Sequence, residues 1–400
     1  MRKNIYIFLC IFTFIACNNK EYTNTILNTS IERAKKQYIS MAESLKDVPD
    51  ILPRTTDNEG NLITSSPKWW TSGFFSGSLW YIYELTGDSK YRNYAIKYMK
   101  RIEDEQYTTS HHDVGFMMYC SYGNALRLNP SDSTYYKKVL VQSANSLISR
   151  FNSHIGLIKS WDGHDDKWQY PVIIDNMMNL ELLMWAYKET RNEKYKNIAC
   201  SHADKTMINH FRPDYSSYHL ISYDKETGKP EKKITVQGYS DESAWSRGQA
   251  WGLYGYTMMY RETKDTKYLE HAKKIAKFII NHPNLPNDKI PYWDFNDPKI
   301  PNTYKDASAG AIMASAFLEL SQFVNKKQAK EYIDIATTQL KSLTSEYYLA
   351  EIGSNGNFIL KHSVGNLPSK SEIDVPLTYA DYYYIEAILR YQRYLRKTII

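Results

Sequence analysis

Two aspartates in this 400-residue chain occupy positions where a carboxyl group can carry out acid–base chemistry. Asp175 follows a short apolar run and precedes the apolar segment NMMNLELLMWAY, while Asp113 precedes the apolar segment VGFMMY. Burial beside a second carboxylate raises the pKa of a carboxyl group, which can then donate a proton near neutral pH. The alternative is structural, because an aspartate at a helix start also caps backbone N–H groups and faces the positive end of the helix dipole.

Further side chains that could take part in binding or catalysis lie at or near the starts of other apolar segments. They are Trp70, Ser72, His112, Arg247, Asp306 and Asp381. Capping explains the aspartates and the serine, but it does not explain a tryptophan, a histidine and an arginine in equivalent positions. Carboxylates, a guanidinium and indoles that converge on one cavity are typical of a site for an acidic sugar. The elements that carry these residues must therefore bring their ends together.

The apolar segments have helical patterns and alternate with amphipathic segments. They begin near residues 72, 113, 175, 247, 306 and 379. A helix that is apolar nearly all round packs inside other helices. The motif Tyr83-Glu-Leu-Thr86 joins the first apolar segment to its amphipathic partner, and copies of the motif follow at residues 187–190 and 260–263. A helix pair that recurs over tens of residues indicates a repeat architecture.

Six such pairs predict an all-α fold, an (α/α)6 barrel in which the apolar helices form an inner ring. The segment from about Ile31 to Leu45 is expected to be the outer partner of the last inner helix and to close the ring. An open solenoid is the alternative, but it needs polar capping repeats, which the sequence lacks. In a closed ring the inner helices run the same way, so their N-terminal ends share one mouth.

The N-terminus has the features of an export signal. Arg2 and Lys3 precede an apolar run that is too short to span a membrane. The ending Phe-Ile-Ala-Cys17 resembles a bacterial lipobox, in which the cysteine carries the lipid; an ordinary signal peptide cut elsewhere is the alternative. We expect an exported, membrane-anchored lipoprotein on the periplasmic face or in the outer membrane. The predicted divisions are a signal segment at 1–17, a polar tether at 18–30 and a catalytic domain at 31–400.

The composition argues against several other classes of protein. The net charge of +6 is spread along the chain, whereas a nucleic-acid partner requires a concentrated basic patch. No Cys-x-x-Cys or His-Glu-x-x-His spacing is present, so neither a metal nor another cofactor is predicted. Only Cys120 and Cys200 follow the signal segment, and they imply no disulfide framework. We expect a monomer or a weak oligomer.

Eight ordered segments carry a family resemblance. They are WTSGFFSGSLW, HHDVGF, IIDNMMNLELLMWA, DYSSYH, QGYSDESAWSRGQAWGLYGY, PYWDF, DASAGAI and YADYYYIEA. From about Trp70 to Tyr391 the chain resembles the unsaturated glucuronyl hydrolases, glycoside hydrolase family 88. The resemblance implies an (α/α)6 barrel that acts on oligosaccharides left by polysaccharide lyases. Such products end in a uronic acid with a C4=C5 double bond, which these enzymes hydrate; the resulting hemiketal opens and releases the next sugar.

The resemblance also implies roles for individual residues. Asp175 matches the catalytic acid and base, and Asp113 matches the second family aspartate. Two indoles match sugar-stacking positions, and Arg247 and His219 are the groups best suited to hold or balance a substrate carboxylate. The residues predicted to bind substrate are Trp70, His112, His219, Gln237, Arg247, Trp251, Ser369 and Lys370.

A cationic, hydroxyl-bearing loop precedes the last inner helix. It consists of Ser369, Lys370 and Ser371, and in the family this region helps to read the second sugar. We hypothesise that the loop contacts the sugar beyond the unsaturated residue, so that Lys370 affects the choice between sulfated and unsulfated substrates. A solvated lysine on a loop is the alternative.

Other functions fit parts of the sequence. Unsaturated rhamnogalacturonyl hydrolases perform the same chemistry on pectin fragments, but the paired HHD and IIDNMMN motifs favour the glucuronyl type. A glycan-binding lipoprotein of an uptake system would also be helical and rich in aromatic residues, but carboxylates at inner-helix starts argue against it. Two carboxylates also fit a standard glycosidase pair. Only the family resemblance separates hydration from direct cleavage of the glycoside.

Overall fold

The computed structural model describes the backbone of residues 4–163 and 166–399, and the side chains of residues 25–163 and 166–397. The predicted signal segment and the predicted lipidation residue Cys17 lie outside the residues whose side chains are described. Within the described part of the chain, no helix is long and apolar enough to cross a membrane. Most of the described residues are helical, as the sequence predicts.

Inner and outer helices alternate along the described chain. The inner helices are α2 (Ser72–Thr86), α4 (Val114–Met118) continued through a π-helical turn (Tyr119–Gly123) into α5 (Asn124–Leu128), α7 (Asn176–Thr190), α9 (Ser246–Thr263), α11 (Ala307–Leu320) and α13 (Thr378–Ile399). The outer helices are α1 (Asn4–Leu45), α3 (Ser89–Lys100), α6 (Ser133–Ile148), α8 (Glu193–Asn209), α10 (Thr266–Asn281) and α12 (Lys326–Leu343).

The inner helices close into a ring. Each packs against the next along the chain, and α13 contacts both α11 and the first inner helix, α2. Helix α1 packs on α13 and α2 from outside, as expected for the element that closes the ring. The inner helices are buried nearly all round; every residue of α11, for example, is buried. The predicted (α/α)6 barrel is therefore confirmed, and an open solenoid is excluded.

The recurrent tyrosine motif forms the turn between an inner helix and its outer partner. In the first copy, Thr86 Oγ1 donates to the carbonyl four residues earlier (2.7 Å) and accepts the N–H of Asp88 (3.2 Å). Asp88 then caps α3, and Gly87 between them has a left-handed backbone. The copies near residues 187–192 and 260–265 make the same bonds. The repeat thus encodes the reversal of the chain at the edge of the barrel.

The second tyrosine of each copy ties neighbouring outer helices together. The hydroxyl of Tyr91 donates to α1, that of Tyr195 to α6, and that of Tyr268 to α8. These rings are buried while their hydroxyls find partners, the usual arrangement for tyrosines in a protein interior. The motif therefore stabilises the outer ring as well as the turn.

Short antiparallel sheets lie in the connections that precede the inner helices. The strands are β1 (Leu52–Thr56), β2 (Leu62–Ser65), β3 (Phe151–Asn152), β4 (Leu157–Ile158), β5 (Pro171–Ile173), β6 (Leu220–Tyr223), β7 (Pro230–Ile234), β8 (Ser363–Asn366) and β9 (Ser371–Val375). They pair as β1–β2, β3–β4, β5–β6–β7 and β8–β9. Strand β5 leads into α7, and the β8–β9 hairpin leads into α13, so both sheets help to build the mouth of the barrel.

Glycines allow the inner helices to approach closely. A Cβ added to Gly73 of α2 would lie 2.0 Å from the carbonyl oxygen of Met117 in α4. A Cβ added to Gly255 of α9 would lie 2.6 Å from the Cβ of Met177 in α7. Neither position has room for a side chain, so these two glycines allow the inner helices to pack closely.

Towards the C-terminal ends of the inner helices, a buried polar network surrounds Glu386 of α13. Its carboxylate accepts hydrogen bonds from the hydroxyls of Tyr81, Tyr254 and Ser315. Arg390 lies 3.4 Å from the same carboxylate. These residues come from α2, α9, α11 and α13, so the network links helices across the ring.

The folded domain begins earlier than the sequence analysis predicts. Helix α1 runs without interruption past residue 30, and Ile26 and Leu27 are buried. The hydroxyl of Ser30 lies 2.6 Å from that of Tyr384. The predicted tether at residues 18–30 is therefore wrong for its last five residues. These polar and apolar side chains follow the same helical face as the residues after them, so no break marks a boundary at residue 31.

Candidate active site

The N-terminal ends of the inner helices surround a cavity of about 780 Å³. Ligand pockets commonly have volumes of ~300–1,000 Å³, so a short oligosaccharide end fits this space. Among the residues that the sequence predicted to act on substrate, those that line the cavity are Trp70, Asp113, Asp175, Gln237, Arg247 and Ser369. The predicted convergence of helix starts on one mouth is therefore confirmed.

Asp175 lies at the start of α7 but makes no capping hydrogen bond. It is 8% exposed, and its Oδ2 has no hydrogen-bond partner among the described residues. Burial raises the pKa of Asp175 to about 7, with the charge of Arg247 opposing the shift and that of Asp113 adding to it. By contrast, the outer helices α3, α8, α10 and α12 are capped by Asp or Asn side chains. The Asp175 carboxyl is thus available to a ligand as a proton donor near neutral pH.

Asp113 also precedes its helix, α4, without capping it. Its Oδ2 lies 3.3 Å from His111 Nδ1, and its Oδ1 lies 3.4 Å from His112 Nε2. Burial would raise the pKa of Asp113, but the two histidines and Arg150 together lower it below its ordinary value. Asp113 is therefore ionised at pH values at which Asp175 is still protonated. The two carboxyl groups are suited to different tasks.

Two backbone groups determine which nitrogen of His219 carries the proton. The N–H groups of Val236 and Gln237 donate to His219 Nδ1 at 3.0 and 3.3 Å, which leaves the proton on Nε2. Nε2 lies 3.9 Å from Asp175 Oδ2. Burial, assisted by the charge of Arg247, lowers the pKa of His219 to about 3. His219 is thus a neutral N–H donor beside Asp175, and its predicted contact with a substrate carboxylate stays a prediction.

The guanidinium of Arg247 is buried and bonded within the protein. It donates to the carbonyls of Val364 and Gly365 in β8, to Gln237 Oε1 at 3.1 Å, and to Asp306 at 3.3 Å. Only its Nε lacks a partner among the described residues. Arg247 therefore joins the β8–β9 hairpin to α9, and little of its donor capacity is left to hold a substrate carboxylate. Gln237 keeps its amide N–H groups available to the cavity.

The two predicted stacking indoles occupy different environments. Trp70 lines the cavity and packs on Tyr379 at a centroid distance of 5.0 Å. Trp251 is fully buried, packs on Phe116 at 5.2 Å and does not line the cavity. It lies beside Asp175, whose ionised form it favours. The stacking of a sugar on Trp251 stays a prediction.

Three further predictions concern residues at the edge of the site. His112 is fully buried behind Asp113 and does not line the cavity, and burial lowers its pKa to about 4. Its predicted contact with substrate stays a prediction. Ser369 lines the cavity, and Ser371 does as well. Lys370 does not, although it is exposed between them. Neighbouring residues of this hairpin differ in whether they line the cavity, which the sequence pattern did not reveal.

Several residues of the cavity wall were not identified from the sequence. They are Arg54, Lys68, Trp161, Lys167, Trp168, Asn366, Glu372 and Tyr379. The segment WDGHDDKW contains two of these tryptophans among charged residues. Indoles in such a polar loop are a signal for binding that the sequence analysis did not use. In the part of the chain with described side chains, no group of three or more His, Cys, Asp or Glu residues is placed to hold a metal ion.

Comparisons with known proteins agree with this fold. The family model Glycosyl Hydrolase Family 88 matches residues 43–397. An unsaturated glucuronyl hydrolase of Formosa agariphila is 44% identical over 99% of this chain and 100% of its own length. The enzyme of the same name from Bacillus sp. strain GL1 is 34% identical over 88% of this chain and 94% of its own length.

Solved structures are similar as well. The crystal structure of an unsaturated glucuronyl hydrolase specific for heparin has a TM-score of 0.89 at 49% identity, and the match covers 93% of this chain and 98% of that one. The Streptococcus agalactiae enzyme has a TM-score of 0.84 at 31% identity, covering 92% and 91%. On the evidence of its sequence and of its helical ring alike, the chain belongs to glycosyl hydrolase family 88.

Proposed function

We propose that this family member is an unsaturated glucuronyl hydrolase. It removes the 4,5-unsaturated uronic acid from the non-reducing end of lyase-generated oligosaccharides. The observation that carries the proposal is the Asp175 carboxyl, which is buried, uncapped and has a pKa of about 7 on the wall of a sugar-sized cavity. Relatives are named for this activity, and the Bacillus enzyme is described as responsible for the degradation of glycosaminoglycan. Glycosaminoglycan fragments are therefore the substrate class.

The chemistry follows from the protonation state of Asp175. The neutral carboxyl donates its proton to C4, and the electrons of the C4=C5 bond form the new C–H bond. Positive charge then develops at C5 and is shared by the ring oxygen. The Asp175 carboxylate accepts a proton from the water that adds to C5, which restores the acid. The hemiketal at C5 opens to a ketone, and the hemiacetal left at C1 releases the next sugar.

The neighbouring groups support the two states of Asp175. His219 Nε2–H stands next to the carboxylate that forms after proton transfer, and the charge of Arg247 stabilises the same form. Asp113 is ionised and lines the cavity, so it can accept hydrogen bonds from ring hydroxyls. Its negative charge also favours the protonated form of Asp175 before reaction. Trp70 offers an indole for the sugar ring.

Neither rival function is supported by a specific observation. The relatives described above carry the glucuronyl name rather than the rhamnogalacturonyl name. A glycan-binding lipoprotein gains nothing from a buried carboxyl whose pKa is held near neutrality, because leaving such a group unpaired costs stability. Both arguments favour an enzyme that acts on unsaturated uronic acids.

The activity should decline as the pH rises through about 7, the pKa to which burial raises Asp175. The reaction begins with protonated Asp175, so kcat/KM for a lyase-made disaccharide should fall about tenfold per pH unit on the alkaline side. Loss of ultraviolet absorbance from the C4=C5 bond measures the rate. The histidines His219 and His112, whose burial lowers their pKa values to about 3 and about 4, do not titrate in this range.

His111 is the control for this profile. Burial lowers its pKa, but the hydrogen bond and charge of Asp113 raise it above the ordinary value overall, so its titration has to be distinguished from that of Asp175. His111→Gln should therefore retain the alkaline decline. A profile that is flat from pH 6 to 9, or a decline that disappears in His111→Gln, would contradict the assignment to Asp175.

We propose in addition that the protein is exported and lipid-anchored through Cys17. The support is the sequence alone: a basic start, a short apolar run and the ending Phe-Ile-Ala-Cys17. Cells that express the full chain should incorporate labelled fatty acid into it, and Cys17→Ala should abolish the label. Equal labelling of both forms, or none in either, would refute the anchor.

A further inference from the structure

A second cavity lies inside the ring of inner helices, and none of its wall residues belongs to the catalytic cavity. Its volume is about 410 Å³, within the range of ~300–1,000 Å³ that is usual for small-molecule sites. Its exposed wall residues, Arg127 and Arg393, lie towards the C-terminal ends of α5 and α13, whereas the catalytic cavity opens at helix starts. Phe116 lines the second cavity and packs on Trp70 of the catalytic cavity at 5.7 Å, so aromatic side chains separate the two spaces.

The inner part of this second cavity has an excess of negative charge. Four carboxylates form its inner wall and the layer directly behind it: Glu181, Glu262, Glu319 and Glu386. Arg261 pairs with the first three of them, and Arg390 pairs with the last two. Lys188 adds one more positive charge, 2.5 Å from Glu262. Three positive groups therefore meet four carboxylates in the described part of this network, and one negative charge is left over.

Glu181 presents this excess charge to the cavity. Its Oε1 accepts a hydrogen bond from Arg261, but its Oε2 accepts none from a described residue. The Glu386 carboxylate, by contrast, already accepts bonds from three hydroxyl groups. Burial raises the pKa of Glu181, with Arg261 opposing the shift and three neighbouring carboxylates adding to it. The cavity therefore favours a group that brings positive charge to Glu181.

Aromatic rings line the cavity around Glu181. Trp185 follows one turn later on the same face of α7, and Tyr119 lies against it at a centroid distance of 6.4 Å. The buried rings of Tyr254 and Tyr383 complete this wall. The faces of aromatic rings attract cations, and the attraction is strongest where water is excluded. Rings beside an unbalanced carboxylate are thus suited to an organic cation.

An irregular turn of the second inner helix forms part of the same wall. Tyr119, Cys120 and Gly123 line the cavity, and all three belong to the π-helical turn at residues 119–123. No other inner helix in the described part of the chain contains such a turn. Single π-helical turns occur frequently at functional sites. The position of this turn is a second indication that the cavity holds a ligand.

The arginines at the rim do not reverse the preference for positive charge. Arg127 and Arg393 both form ion pairs with Glu84, which balances one of the two charges. Both arginine side chains are exposed, so water and salt screen the charge that remains. Charges in the interior are screened much less. The carboxylates at the inner end therefore decide which ligand is bound.

We propose that the second cavity binds a small organic amine, with its ammonium group at Glu181 and its carbon body against Tyr119 and Trp185. An ammonium group has three donors, so it can bond to the carboxylate and still meet other oxygens of the wall. A cavity of 410 Å³ is far larger than a bare metal ion requires, and its aromatic wall suits an apolar body. The proposal goes beyond the hydrolase function and does not depend on it.

Three probes with the same ring test the preference for charge: cyclohexylamine, cyclohexanol and cyclohexanecarboxylate. At neutral pH the amine is protonated, and calorimetry should show that it binds at least about tenfold more tightly than the alcohol, because a hydrogen bond between charged groups exceeds a neutral one. The carboxylate should bind more weakly than either. Glu181→Gln should weaken amine binding about tenfold.

Glu189→Gln is the matched control. Glu189 lies on the same helix, α7, and pairs with Lys137 at 2.8 Å, but it is exposed and does not line the cavity. The two substitutions change the net charge equally. The Kd of the amine should stay within about twofold of its original value in this control, as expected for an exposed charge.

The thiol of Cys120 reports where the amine binds. Cys120 lines the second cavity, while Cys200 lies on the outer helix α8 and does not; both are partly exposed. Saturating cyclohexylamine should slow the reaction of Cys120 with methyl methanethiosulfonate about fivefold or more, because only the unoccupied site reacts. The reaction of Cys200 should not change. Mass mapping of the modified peptides separates the two thiols.

Equal affinities for the amine and the alcohol, or equal effects of the two glutamine variants, would overturn the inference. An unchanged reaction of Cys120 would also overturn it, and this measurement on the unaltered protein decides the question if Glu181→Gln does not fold. Competition between the amine and the unsaturated disaccharide without protection of Cys120 would place the amine in the catalytic cavity and count against the inference. None of these measurements requires turnover, so a failure of the proposed function is distinguished from a failure of this one.

Discussion

Replacing Asp175 by Asn should lower kcat at least about a thousandfold, because general acid–base assistance contributes roughly 10²- to 10⁴-fold per role and this residue has two roles. The amide has the size of the carboxyl group but can neither donate a proton to C4 nor accept one from water. Asp175 makes no capping hydrogen bond, so the substitution removes no contact that holds α7. The variant should bind the unsaturated disaccharide and melt close to the unaltered protein.

The variant Asp113→Asn distinguishes the roles of the two aspartates. Asp113 is ionised and is proposed to hold ring hydroxyls, so its amide variant should lose affinity as well as rate. Steady-state kinetics, calorimetric binding and thermal melts on both variants provide the comparison. Turnover near the original value in Asp175→Asn, or the same pattern of losses in both variants, would show that the acid and base lies elsewhere.

Replacing Gly73 by Ala should destabilise the barrel by about 3 kcal/mol or more, the upper end of the range for overpacked cores. The new Cβ would lie 2.0 Å from the carbonyl oxygen of Met117 and 2.6 Å from its carbonyl carbon. These are backbone atoms of the neighbouring inner helix, so no side-chain rotation relieves the clash. Helix α4 would have to move away from α2, and Asp113 lies at the start of α4. Denaturant unfolding measures the loss.

Gly252→Ala is the control for this substitution. Its Cβ would meet the ring of Phe211 at 3.1 Å, a side chain that can shift by a few tenths of an ångström. Alanine also favours a helix interior by up to about 1 kcal/mol over glycine. The free energy of unfolding should therefore change by less than about 1 kcal/mol. Equal stabilities of the two variants would mean that the α2–α4 contact is not as tight as the structure shows.

The architecture was predictable because it depends on local patterns. Helices that are apolar all round must be inner helices, and the tyrosine motif fixes the turns through bonds between residues two to four positions apart. Closure then brings the helix starts together, so the sequence predicts that Asp113, Asp175 and Arg247 lie at one mouth. Each of these predictions needs only the sequence within one repeat.

The details of the cavity wall were not predictable in the same way. The bonds of Arg247 reach Val364 and Gly365, which lie more than a hundred positions away in the chain. The burial of Trp251 depends on Phe116 of a different inner helix. Lys370 lies in the turn of a hairpin whose register shifts near its base. Periodicity carries no information about such long-range partners, so the contacts of these side chains could not be predicted from it.

The uncapped starts of α4 and α7 have a consequence for protein engineering. Side chains cap α3, α8, α10, α11 and α12, whereas Asp113 and Asp175 stand at helix starts without doing so. A buried carboxyl group that makes no cap leaves room for gains in heat resistance at those two sites. A library of variants selected only for thermal survival would therefore drift away from aspartate at both positions and lose turnover. Thermostabilisation of this barrel has to hold residues 113 and 175 constant and seek its gains in the outer ring.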